Sequence, residues 1–247
     1  MNVLVVLPTF NESENIEHVL RRIRGAVPAA TVLVVDDGSP DGTADIAERV
    51  GKEVGNIELL RRHEKSGLGS AYRAGFRWGL ARGFDACVEM DADLSHQPEA
   101  LPELIASLSS ECELVIGSRY VPGGSIPNWV WHRRLLSRGG SIYASTVLGL
   151  KVADATAGFR VYAASLLRRI DLDRIRADGY GFQIEMTYQA RRAGAGVQEV
   201  PIRFVERELG QSKMSTSIVV EAFGLVTWWG IVRVARWARS SLHASTG

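Results

Sequence analysis

The sequence predicts an α/β domain whose mostly parallel sheet is buried on both faces by helices. Two observations point there. Short β-branched runs alternate with helical patterns over about 120 residues, and unusual polar residues gather where the runs stop. "VLVVLP" (3 to 8) reads as the first strand, and Ile16, Val19, Leu20 and Ile23 follow at the spacing of an amphipathic helix. Further strands are read at "TVLVVDD" (31 to 37), "IELLRR" (57 to 62), "ACVEMDAD" (86 to 93), "ELVIGSRY" (113 to 120) and "VQEVPIRF" (197 to 204). Right-handed crossovers between such strands leave ligands beyond their carboxyl ends. The stretch "VPGGSIPNWVWHRR" (121 to 134), with two Pro, two Gly and two Trp, is expected to be a mobile loop.

With 247 residues the chain is long enough for a substantial core. Its 29 basic and 28 acidic residues nearly cancel, so no global field recruits nucleic acid, and any anion site must be built locally. Cys87 and Cys112 have no metal-ligand spacing and suggest a reduced, cytosolic setting. The start "MNVLVVLPTFNE" lacks the pattern of a secretory leader. Near the other end, residues 218 to 232 are apolar apart from Glu221 and Thr227, shorter than the roughly 20 residues a bilayer span needs.

The strand ends carry "PTFNE", "DDGSPDGT", "DADLSH" and "GSRYVPGG". Neither common glycine-rich phosphate loop is present. "GLGSAY" (67 to 72) has Tyr72 where a small residue is needed, and "GQSKMST" (210 to 216) lacks the required spacing. Phosphate charge is therefore expected to be met by a metal and by Arg and Lys. Asp91 and Asp93 suit a hard divalent cation, Mg2+ or Mn2+, bridging to a diphosphate. Strand alternation would aim both carboxylates one way, with Ala92 facing the other. A cap for the helix that "QPEALPELIASL" begins is the ordinary alternative for one of them. His96 is expected to be a hydrogen-bonded helix-start residue.

In order, "LPTFNE", "VVDDGSPDGT", "MDADLSHQPE", "IGSRY", "DATAGFRVY" and "ELGQSKMS" resemble the blocks of the GT-A fold, family 2 glycosyltransferases, within them the dolichyl-phosphate or polyprenyl-phosphate mannose synthases. The resemblance implies a GT-A catalytic domain over residues 1–215, followed by an amphipathic interfacial helix and tail over 216–247. It implies transfer of mannose from GDP-mannose to a polyprenyl or dolichyl phosphate, with inversion. It also implies that Pro8, Phe10 and Glu12 line the nucleotide pocket, with Val35 and Asp37, or its neighbour Asp36, beside base and ribose. Asp91, Ala92 and Asp93 would face the metal and donor diphosphate; Arg119, Arg207 and Lys213 would hold phosphates; Arg133 would meet the lipid phosphate. Where the family often has Gln, this chain has Ser95.

A phosphate monoester, mostly a dianion at neutral pH, needs no base to attack a sugar. What the protein must supply is position and positive charge, tasks that suit Arg. Arg233, Arg236 and Arg239, with Trp228, Trp229 and Trp237, suggest a helix lying in the cytoplasmic membrane surface and a peripheral enzyme. Whether a partner protein helps to anchor it stays open. So do two other readings: a UDP-glucose-dependent glucosyltransferase on the same lipid phosphate, and a noncatalytic nucleotide-binding membrane module.

Overall fold

The computed structural model describes residues 1–127, 129–205 and 223–233. Among them the order is β1 (Val3–Thr9), α1 (Ile16–Ala26), β2 (Thr31–Asp36), α2 (Thr43–Val54), β3 (Ile57–Arg61), α3 (Leu68–Ala81), β4 (Ala86–Glu89), α4 (Leu101–Ala106), β5 (Leu114–Ser118), α5 (Trp131–Leu148), β6 (Arg160–Ala163), α6 (Ala164–Arg169), α7 (Gly179–Arg192) and β7 (Val197–Pro201). The strands form one sheet in the order β3-β2-β1-β4-β6-β5-β7. Every pairing is parallel except the two made by β6, which runs antiparallel to both β4 and β5.

The absence of alternation in β1 and β2 has the expected cause: both faces are covered. On one side Leu4, Val6, Leu33 and Val35 pack with Tyr72 and Phe76 of α3 and Phe182 of α7. On the other, Val5, Leu7, Val32 and Val34 pack with Ile16, Val19, Leu20 and Ile23 of α1. All four residues that predict α1 are fully buried.

Two expectations are corrected and one strand is added. β4 stops at Glu89 rather than running to 93, so Asp91 and Asp93 stand on a loop beyond the strand, where Leu94 takes a positive φ of 63°. Their arrangement is therefore set by that turn and its hydrogen bonds, not by strand alternation. The 121 to 134 stretch does not stay irregular, because α5 begins at Trp131. Lastly, "RVYA" within "DATAGFRVY" forms β6, the strand whose reversal lets β5 and β7 join the sheet.

Residues 223–233 are helical and lie against α5 and α7. The Tyr143 and Phe223 rings are 5.0 Å apart, Tyr143 and Thr227 share a 2.7 Å hydroxyl hydrogen bond, and Trp229 stacks on Tyr188. No helix among the described residues is long and apolar enough to cross a membrane. The 216 to 247 expectation otherwise falls largely outside the described residues.

Candidate active site

The carboxyl ends of β1, β2 and β4, together with the starts of α3 and α7, enclose a cavity of about 410 Å3. Pro8 enters it from the end of β1, Phe10 and Glu12 just after β1, Asp37 after β2, and Asp91, Ala92 and Asp93 after β4. Arg133, from the first turn of α5, also lines it. The sequence thus brings residues from positions 8 to 133 to one place because parallel strands all stop on the same side.

Two of the expected nucleotide contacts are corrected. Val35 is fully buried within β2, part of the core. Asp36, 2% exposed, accepts the Thr9 hydroxyl at 3.0 Å, the Ser39 backbone N–H at 2.9 Å and the Ser39 hydroxyl at 2.6 Å. It ties the ends of β1 and β2 together, and its neighbour Asp37 lines the cavity. Burial pushes the Asp37 carboxyl up, against the pull of Arg62, whose Nη1 lies 3.1 Å away. Lys65, from the basic run after β3, places its ammonium 4.6 Å from the centre of the Phe10 ring, a cation–π contact at the cavity wall.

Arg119 is corrected as well. It is 5% exposed, and its guanidinium is committed to the fully buried Asp154 through two 2.7 Å hydrogen bonds, with a third to Thr156 at 2.9 Å. Burial opposes both charges, yet each partner offsets it for the other: Arg119 is held above its usual range and Asp154 below its own. The Arg119 guanidinium lies 5.7 Å from the Trp129 ring centre and 5.4 Å from that of Phe204, so it backs the aromatic wall and is not itself among the residues lining the cavity. Arg207 and Lys213 lie outside the described residues.

The carboxylates beyond β4 are held from several directions. The Tyr72 hydroxyl donates to Asp91 Oδ1 at 2.9 Å, and the Asp91 backbone N–H donates to His96 Nδ1 at 3.2 Å. His96 is 2% exposed, stacked on Phe159, and burial holds its pKa down. It acts as an acceptor in the turn, the structural part expected of it. Asp93 Oδ1 accepts the Ser95 N–H at 3.1 Å.

The donor set fits a hard divalent cation. Asp91 and Asp93 offer carboxylate oxygens, and the buried Ser95 Oγ, also on the cavity wall, has no hydrogen-bond partner among the described residues. Among those residues no group of three or more His, Cys, Asp or Glu side chains is assembled for a metal, as suits an ion held by one or two carboxylates and completed by water and phosphate oxygens.

A second, apolar cleft adjoins the cavity. Leu136, Gly140 and Tyr143 of α5, Ile184 of α7, and Phe223 and Val226 line it. Trp129, Arg133 and Tyr180 line both spaces, and the Arg133 guanidinium sits 4.2 Å from the centre of the Trp129 ring. Sequence reasoning missed Tyr72, Asp178 and Tyr180. The sequence signal for the last two is weak: "ADGYGF" places an Asp and two Gly at the start of a helix, α7, that faces the site.

Residues 4–171 match the family described as Glycosyl transferase family 2. The chain is 54% identical over 237 residues, 96% of each chain, to an undecaprenyl-phosphate mannosyltransferase of Micrococcus luteus. It is 48% identical over 229 residues, 92% of this chain and 86% of the other, to a polyprenol monophosphomannose synthase of Mycolicibacterium smegmatis. Among solved structures, glucosyl-3-phosphoglycerate synthase of Mycobacterium tuberculosis in complex with phosphoglyceric acid superposes with a TM-score of 0.68 at 20% identity, covering 91% of this chain and 78% of that one. The same enzyme with Mn2+ and UDP-glucose gives 0.64 at 21% identity, over 90% and 74%. The likeness to these structures shows the fold.

Proposed function

The chain belongs to glycosyl transferase family 2, and from that membership we propose that it transfers mannose from GDP-mannose to a polyprenyl phosphate, with inversion at the anomeric carbon. One observation carries the reading beyond the relatives' names: Arg133 stands on the shared wall of a carboxylate-bearing cavity and an apolar cleft. A polar donor and a lipid with a charged head would meet at such a junction.

In this account the nucleotide lies between Pro8, Phe10, Glu12 and Asp37. Asp91 and Asp93, with Ser95 beside them, would hold Mg2+ or Mn2+, which would supply positive charge for the leaving diphosphate. Arg133 orients the acceptor phosphate. Its second pKa is near 6, so a dianion attacks without a base. A phosphate oxygen bonds to the anomeric carbon from the face opposite the diphosphate, and the C–O bond to GDP breaks with the electron pair leaving on GDP. Trp129 and Tyr180 keep water from competing at the junction.

The exposed apolar side chains support peripheral attachment to a membrane surface, which on the proposed reading is the cytoplasmic leaflet. Trp131, Leu135 and Ile142 recur along the outer side of α5 at 75%, 64% and 56% exposure, and Trp228 and Ile231 add 63% and 59% from the 223–233 helix. The proposed limits are 1–215 for the catalytic domain and 216–247 for the interfacial helix and tail, with α5 of the first part sharing in attachment and Phe223 and Val226 of the second lining the cleft.

The test is to incubate the purified chain with polyprenyl phosphate, Mg2+ or Mn2+, and radiolabelled GDP-mannose or UDP-glucose. Label is expected in lipid from GDP-mannose, abolished by chelator. Label from UDP-glucose alone would replace the donor, and label in neither would leave the binding module as the better account.

A further inference from the structure

The tyrosine that spoils "GLGSAY" as a phosphate loop has a place in the site instead. Tyr72 lies in the first half of α3, and α3 lies unusually close to the sheet. A Cβ on Gly75 would fall 2.3 Å from Val6 Cγ1, and one on Gly79 2.7 Å from Leu4 Cδ2. Only hydrogen at these positions lets the helix sit down on β1. Tyr72, one turn before Gly75, is thereby carried over the sheet and fully buried, its ring stacked 5.9 Å from Phe182 and 6.2 Å from Phe76. Its hydroxyl emerges beyond β4 and meets Asp91 Oδ1 at 2.9 Å.

Asp91 has no strand ladder to fix it, and its side chain is 33% exposed. A carboxylate already held by a hydrogen bond loses less torsional freedom when it binds a ligand. We propose that Tyr72 is a positioning residue for the reaction: its hydroxyl, delivered by the glycine-seated helix α3, fixes the Asp91 carboxylate in the orientation that receives the divalent cation and donor diphosphate. The inference rests on the reading of Asp91 as a cation-binding residue. The pairing resembles the hydrogen-bonded outer partners of metal ligands in general, whose loss weakens affinity about 10–100-fold.

The experiment titrates Mn2+ into the full chain with saturating GDP, following free Mn2+ by electron paramagnetic resonance, with thermal unfolding measured in metal-free buffer. Tyr72→Phe removes one oxygen and keeps the stacked ring; the expected result is Mn2+ binding about tenfold weaker. Asp91→Asn should weaken it at least as much, and the double variant should be no worse than Asp91→Asn alone, since the hydroxyl acts through the carboxylate. Phe76→Leu disturbs the same aromatic stack without touching the hydroxyl and should leave Mn2+ binding within about twofold.

Three results would overturn the proposal. If Asp91→Asn weakens binding while Tyr72→Phe does not, positioning fails and the cation site stands. If Phe76→Leu weakens binding as much as Tyr72→Phe, packing rather than the hydroxyl is responsible. If Asp91→Asn leaves binding unchanged, the cation reading itself falls, and the role of Tyr72 with it.

Discussion

Two arginines, fourteen positions apart, show why residue type alone does not assign a role. Arg119 and Arg133 both stand near the cavity, but Arg119 is 5% exposed with a fully buried partner, whereas Arg133 lines the cavity itself. Removing Arg119 leaves Asp154 as a buried charge without its main counter-ion, which costs about 3–5 kcal/mol. Arg119→Ala should therefore lower the denaturation midpoint severely in urea titration. Arg133→Ala should change stability by less than about 1 kcal/mol, while transfer to lipid phosphate drops by at least tenfold and GDP binding is largely kept. A reversal of these two patterns would exchange their roles. The sequence could name both arginines but not separate them, because the Asp154 that neutralises Arg119 lies 35 residues away. The same holds for Asp36 and Asp37: adjacent letters, of which one ties two strand ends together and the other lines the cavity.

At the level of elements, the insertion of β6 has an electrostatic cost. It pairs with β4 so that Arg160 stands opposite Glu89, with both side chains fully buried. The Arg160 guanidinium is hydrogen-bonded mainly to the carbonyls of Ala157, Gln183 and Ala155 and to the Thr187 hydroxyl, and the Glu89 oxygens lack a well-formed hydrogen bond. Burial accordingly raises the Glu89 carboxyl from 4.5 to about 8 despite the nearby Arg160. The folded state holds a proton that the unfolded state releases above 4.5, so this group's contribution is fully present below that pH and is lost as pH rises through about 8. Glu89→Gln, neutral at every pH, should stabilise the protein by roughly 2–4 kcal/mol at pH 8 and by little at pH 4.5. Thermal unfolding at several pH values checks this; a gain independent of pH would count against a protonated Glu89. β6 itself was hard to read from sequence, because four residues inside a block of Ala, Thr and Gly show neither period nor length. α1 was easy: four apolar positions at helical spacing gave the face that is now buried. The start of α5 was obscured by the Pro, Gly and Trp residues around it, and the end of β4 by acids that looked like a continuing alternation.

On the scale of the whole molecule, the cavity-lining side chains gather beyond the carboxyl ends of the interior strands β1, β2 and β4, and the exposed apolar side chains gather on α5 and the 223–233 helix. Each fully buried Leu or Ile gains about 1.5–3 kcal/mol, so three or four partly inserted side chains suffice for reversible attachment to a bilayer. Leu135→Glu with Ile142→Glu should reduce sedimentation with vesicles containing anionic lipid at least tenfold, and leave Mn2+ and GDP binding intact. Unchanged sedimentation would transfer the attachment role to residues beyond the described helices.

The wall that Trp129, Arg133 and Tyr180 share between the two spaces also bears on how a catalytic cycle would end. One product is a water-loving nucleotide and the other a molecule whose tail never needs to leave the oil. On the proposed reading the two depart into different media, so accumulated glycolipid in the leaflet, rather than free GDP in dilute solution, would be what slows the next round.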